Sequence, residues 1–154
     1  MNALPLALSP RIELVVYGRP APQGSKSFKG MSRKGHAILV ESSKRAAPWR
    51  QLVHEAALQI RNGAAPLDGP LTLRMVFTVP KPASAPKRQR TWPDRMPDLS
   101  KLCRATEDAL VSSGLIADDA RIVEYERLAK VYAGEDAEAL EAAGVRISIS
   151  EVLP

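Results

Sequence analysis

The sequence predicts an α+β fold, a mixed β-sheet with two main helices, occupying residues 1–154 as one domain. Three observations carry this. Short alternating segments and longer segments of helical period are interspersed without a strict βαβ rhythm. No internal repeat and no linker divides the chain. At 154 residues, the chain can bury about 68–70% of its unfolded surface, so it needs no disulfide or structural metal to fold.

Each element follows from local pattern. "RIELVVYG" (11–18) alternates and is rich in β-branched residues, which predicts a strand. "RPAPQGSKSFKGMSRKGH" (19–36) is a Pro/Gly/Ser loop loaded with Lys and Arg, and "AILVES" (37–42) is a short strand. Residues 42–63 predict a helix, capped early by Ser42 or Ser43 or else starting at Pro48. Its expected apolar stripe is Trp49, Leu52, Val53, Ala56 and Ile60, with Gly63 as terminator. "PLTLRMVFTVP" (70–80) is a strand bounded by prolines, and 81–97 is too proline-rich and polar for regular structure, predicting a mobile loop. "DLSKLCRATEDALVSSG" (98–114) is the second helix, stopped by Gly114. Residues 120–134 predict a long strand or hairpin, 135–144 a short helix, and "VRISISEV" (145–152) a last alternating strand.

Charge is unevenly spread. Residues 1–104 hold 18 Lys+Arg against 6 Asp+Glu, whereas residues 105–154 hold 4 against 11. A basic N-terminal two-thirds is what a polyanion-binding protein needs, and also what an unevenly charged solvated surface would show. The lone cysteine, Cys103, cannot form an internal disulfide and suits a reducing cytoplasm. The apolar start "ALPLAL" is short and broken by Pro5, so neither a signal peptide nor a membrane span is expected.

Several catalytic templates fail. "GMSRKGHA" (30–37) places His-Ala where a phosphate loop requires Lys-Ser/Thr. His36 and His54 fall on different elements and suit surface or hydrogen-bonded roles, and Cys103 lies in a helical core pattern unsuited to a nucleophile. What remains is a carboxylate set around the second helix. Asp98 precedes it, Asp118 and Asp119 follow it, and Lys101, Arg104 and Asp108 share one face at spacings of three and four. The opposite stripe, Leu102, Thr106, Ala109 and Leu110, is expected in the core.

A helix-to-strand return can bring Asp119 beside Asp98. Two carboxylates ~4 Å apart would repel by about 4 kcal/mol at an effective dielectric near 20. A hard divalent cation, Mg²⁺ or Mn²⁺, would relieve that repulsion. Taken singly, Asp98 reads first as an N-cap, Asp118–Asp119 as turn residues and Arg104–Asp108 as a surface pair, so the functional reading needs their conjunction.

Taken together, "PDLSKLCRATEDAL" followed by "GLIADDARIVEY" resembles the signature of the RusA-type Holliday junction resolvases, Asp-x-Asp-Asn-Leu-x-Lys, then Asp-Ala-Leu, then Asp-Asp leading into a strand. "GRPAPQGSKSF" is similar to the start of that family's phage-borne actinobacterial branch. The resemblance spans roughly residues 12–150.

The resemblance implies a homodimeric, Mg²⁺-dependent (or Mn²⁺-dependent) endodeoxyribonuclease cutting four-way DNA junctions in recombination and repair, in a bacterial or phage-infected cytoplasm. Asp98 and Asp119 match the family's metal-binding aspartates, with Asp118 adjacent. Arg104 falls at an important lysine, and Asp108 matches the aspartate of Asp-Ala-Leu. Two positions depart: Ser100 stands at the second catalytic aspartate and Lys101 at its asparagine. Asp118, Asp108 and Glu107 are the carboxylates available to replace the missing charge.

The basic side chains expected to hold flanking phosphates are Lys26, Lys29, Arg33 and Lys34 in the first loop, and Lys87, Arg88, Arg90 and Arg95 in the second. Trp92 and Phe28 either stack on opened bases or pack. The rival readings are a non-catalytic module binding branched DNA, and a Mg²⁺ nuclease acting on flaps or replication forks.

Overall fold

In the computed structural model, residues 4–23, 26–31, 33–34, 37–41 and 45–154 are described, with backbone alone for 26–30 and 37–41. The strands are β1 (Ile12–Tyr17), β2 (Lys26–Met31), β3 (Ala37–Glu41), β4 (Leu71–Val79), β5 (Ile122–Tyr132) and β6 (Gly144–Glu151). The helices are α1 (Ala46–Arg61) and α2 (Leu99–Ser112), with a 3₁₀ turn at Asp119–Arg121. Four strands form one sheet in the order β1-β6-β4-β5, in which only β4 and β5 run parallel. The fold is therefore α+β with a mixed sheet and two helices.

Strand period decides which face is covered. Leu71, Leu73, Met75 and Phe77 of β4, Val145, Ile147 and Ile149 of β6, and Leu14 and Val16 of β1 point to one side and form the core with both helices. From α1 come Trp49, Val53 and Ala57, and from α2 Leu102, Ala105, Ala109 and Leu110. The α2 stripe is the expected one, with Thr106 buried in it. Trp49 Nε1 donates to Thr106 Oγ1 at 3.1 Å, and that hydroxyl donates to the Leu102 carbonyl at 2.8 Å, so the buried polar groups joining the helices are satisfied. Gly18 is required where β1 meets α1, because its φ is +146° and a Cβ there would lie 2.5 Å from Leu52 Cδ1.

Several expectations change. The 19–36 loop contains β2, which pairs antiparallel with β3 as a separate two-stranded hairpin. Its sequence, KSFKGM, is too polar to announce a strand because backbone pairing, not a buried face, makes it one. Helix α1 begins at Ala46 with Arg45 at the cap position and no side-chain cap, and Ser42 and Ser43 lie outside the described residues. Leu52 and Ile60 are exposed, since α1 buries only the narrow stripe that meets β1 and α2. Residues 120–134 hold one strand, not a hairpin.

The helix expected at 135–144 does not form. Its carboxylates are drawn instead to cations on the sheet and on the 81–97 segment: Glu135 to Lys81 (2.9 Å), Asp136 to Arg127 (2.7 Å), and Glu138 to both Arg74 and Arg127. Asp136 also accepts from the Glu138 N–H at 2.9 Å, a local bond that competes with helix formation. These contacts, with Leu140 N donating to Thr78 Oγ1 at 2.8 Å, fold the segment over the second face of the sheet.

Candidate active site

Asp98 occupies the N-cap position of α2 with extended backbone (φ −68°, ψ 133°), yet its side chain makes no cap hydrogen bond. The carboxylate is half-exposed and meets Lys101 Nζ at 3.8 Å. The ordinary structural use of an aspartate at this position is therefore not made, and its oxygens stay accessible. Ser100, Lys101 and Arg104 are exposed on the same helix, and Arg104 forms no ion pair among the described residues.

At the other end, Asp118 caps the 3₁₀ turn by accepting from Ala120 N–H at 2.9 Å. That bond, then the Asp119 side chain, holds its carboxyl below the ordinary range. Asp119 is lifted above it, first by the hydrogen bond to Asp118, then by burial and by the negative charges of Asp118 and Asp108. Two adjoining carboxylates repel one another, and a cation between them would relieve that repulsion. The donor set is all hard oxygen, the chemistry that Mg²⁺ or Mn²⁺ takes.

These two ends do not meet within one chain. Tyr125, early in β5, reaches Glu107 with its hydroxyl at 2.5 Å, while Lys130, late in β5, donates to the Pro97 carbonyl at 2.8 Å. The strand thus runs antiparallel to α2, and its far end, not its start, lies beside Asp98. Asp119 sits near Asp108, ten helical positions and roughly 15 Å along the axis from Asp98 at 1.5 Å per residue. The structure sets Asp118 and Asp119 side by side, within electrostatic reach of Asp108, and leaves Asp98 with Lys101. Among the described residues no group of three or more Asp, Glu, His or Cys is placed to hold a metal ion.

Glu107 is not free to replace the carboxylate missing at Ser100. It is buried and accepts from Cys103 Sγ at 2.7 Å as well as from Tyr125. Burial, and next the bond to Glu107, push the Cys103 thiol up to about 12, which fits an inert core cysteine. His54 Nδ1 lies 2.8 Å from Ser112 Oγ, a satisfied histidine. His36 lies outside the described residues.

The basic positions divide into free and engaged. Arg33 and Lys34 are exposed between β2 and β3. Lys26 and Lys29 lie on β2, their side chains, like that of Phe28, outside the described residues. Lys87 and Arg88 are exposed and line an open depression with Gly134–Ala137. Arg90 is engaged, 3.1 Å from Asp136 and 4.1 Å over the ring of Trp92, which is itself exposed. Arg95 is exposed, and its carbonyl accepts from Lys130 at 2.7 Å. Lys130, which donates to the Pro97 carbonyl next to Asp98, and Arg19, which lines one cavity with Pro97 and Lys130, went unnoticed in the sequence.

No helix among the described residues is long and apolar enough to cross a membrane. No curated protein sequence matches the chain. The family model described as endodeoxyribonuclease RusA matches residues 18–143, from the end of β1 to the start of β6, and so includes both aspartate clusters and both basic loops. The chain belongs to the RusA endodeoxyribonuclease family.

Proposed function

We propose that this protein resolves four-way DNA junctions as a homodimer, hydrolysing phosphodiesters with Mg²⁺, for which Mn²⁺ can substitute. The observation that carries the reading is an accessible Asp98 carboxylate that does not cap its helix, in a chain of this family. Asp98, Asp119 and Asp118 would hold the ion. When bound, it would polarise the scissile phosphate and lower the pKa of the attacking water.

Because Asp98 and Asp119 stand at opposite ends of α2, one ion can take both only if they come from different copies. The edge of the sheet suits that arrangement. β5 is one of its two edge strands, with one flank paired to β4 and the other unpaired among the described strands. Two-fold antiparallel apposition of two such edges would set the start of β5 beside the end of the partner's, and so Asp119 beside Asp98 of the partner subunit. A junction is cut in two strands related by a two-fold axis, and such a dimer would carry two sites related in the same way.

Arg104 neutralises charge developing on the phosphate oxygens, with Lys101 in support. Ser100 offers a hydroxyl where the family carries a carboxylate. Arg33, Lys34, Lys87, Arg88 and Arg95, with Lys26 and Lys29, grip flanking phosphates, while Arg90 anchors the 81–97 loop.

A second reading, a non-catalytic module for branched DNA, is favoured by Ser100 and by the Lys101 ammonium drawn to Asp98. Incubating the protein with labelled junction, flap and linear duplex, in Mg²⁺ or in EDTA, tests both. Mg²⁺-dependent paired cuts in the junction support the resolvase. Binding without cleavage supports the module, and preferential cutting of the flap assigns a flap or fork nuclease.

A further inference from the structure

Beside Asp98 the structure holds a half-enclosed cavity of about 210 Å³, whose lining includes the apolar Val79, Pro93 and Tyr132 and the cations Arg19, Arg95 and Lys130. No carboxylate lines it among the described residues. Val79, Pro93 and Tyr132 are buried, whereas Arg19 and Arg95 are exposed and form no ion pair among the described residues. Lys130 is the informative group. Two of its three N–H donors go to the carbonyls of Arg95 and Pro97, at 2.7 and 2.8 Å. The third has no acceptor among the described residues. The ammonium is thus fixed in direction and uncompensated in charge, one residue from Asp98.

Buried apolar groups with an aromatic ring, beside three cations and no acid, are complementary to a base joined to a phosphate. The cavity is smaller than the roughly 300–1,000 Å³ of sites for drug-sized molecules, which limits it to one base and excludes a base pair.

We propose that this cavity takes a single unpaired nucleotide next to the scissile phosphate, its base against Tyr132, Val79 and Pro93 and its phosphate on Arg19, Arg95 and Lys130. The proposal rests on the nuclease reading above and adds to it a means of selecting where the strand is cut. Bringing a base out of the stack costs least where pairing is already broken, as at a branch point.

The test is a binding scan in EDTA, with the full chain and four-way junctions that each lack one base at a successive position near the crossover. The expected result is one position at which base removal weakens binding about tenfold, the size of one base-stacking contact. Arg19→Ala with Arg95→Ala, both at exposed sites, should shrink that penalty below twofold while leaving the melting temperature unchanged. Tyr132→Leu should do the same, with its melting curve checked because the residue is buried. Tight wild-type binding with a flat profile overturns the cavity assignment and leaves the nuclease reading standing. A penalty that persists in the variants also overturns it, since the base is then held elsewhere. Failure to bind any junction overturns both.

Discussion

The 81–97 loop provides a quantitative test of how the protein holds DNA. Of its basic residues, Lys87 and Arg88 are exposed without carboxylate partners among the described residues, whereas Arg90 is committed to Asp136 and Trp92. Each phosphate contact on B-like DNA contributes about −0.9 to the slope of log K against log salt. Replacing Lys87 and Arg88 by alanine should therefore flatten the slope by up to ~1.8, and adding Arg90→Ala should change it little further. The variant's deficit against wild type should then shrink roughly tenfold between 50 and 200 mM salt. Anisotropy of a labelled junction in EDTA measures this. An unchanged slope in the double variant would show the loop to be solvated surface and move the DNA path to residues 26–34. A further full unit lost with Arg90→Ala would show that Arg90 leaves Asp136 to meet phosphate.

Three other outcomes follow from the site and its supports. Ser100→Ala should reduce cleavage modestly and Ser100→Asp should be tolerated or improve Mg²⁺ affinity; complete loss in Ser100→Ala would make the hydroxyl a primary catalytic group. Arg127 holds the Asp136 carboxyl below the usual range, so that pair's stabilisation is present above the unfolded carboxylate pKa, near 3.9, and is lost as pH falls through the lower folded value. Asp136→Asn should therefore lower the melting temperature at pH 7 and lessen its fall at acid pH, and parallel wild-type and variant acid limbs would refute this. Cys103, buried and with a raised pKa, should resist alkylation at pH 8 until the protein is unfolded; prompt reaction of the native protein would mean that α2 and β5 separate.

The legible parts of this fold are those in which side-chain period and burial agree. β4 is an apolar, β-branched run bounded by prolines and buried on both faces, and α2 carries Leu102, Thr106, Ala109 and Leu110 on a single stripe that could be read residue by residue. β2 was not legible because KSFKGM forms a strand by backbone pairing with β3. The 135–144 segment has helix-forming residues, but Arg74 and Lys81, far from it in sequence, and Arg127, on the preceding strand, claim its acids, and tertiary ion pairs override weak local preference. For the site, the individual aspartates could be found because they flank a helix, while their separation could not. It depends on the direction in which β5 passes α2, which no local pattern encodes. Glu107 was miscast for a similar reason, since Tyr125, its buried partner, arrives from β5.

The central claim is that Asp98 and Asp119 act on one ion across two copies of the chain, and mixing two dead variants tests it most directly. Asp98→Asn and Asp119→Asn should each abolish Mg²⁺-dependent junction cleavage while leaving junction binding in EDTA near wild type. When the two variants are unfolded together, refolded and assayed as a mixture, shared sites predict that nicking returns. Each mixed dimer then has one site with both aspartates intact and one with neither. Activity should approach that expected for half the dimers carrying one working site, and the product should be a single nick, not paired cuts. If the mixture stays as inactive as either variant although mixed dimers are present, the aspartates do not meet across subunits. If either variant alone cleaves at near wild-type rate, that residue does not hold the metal.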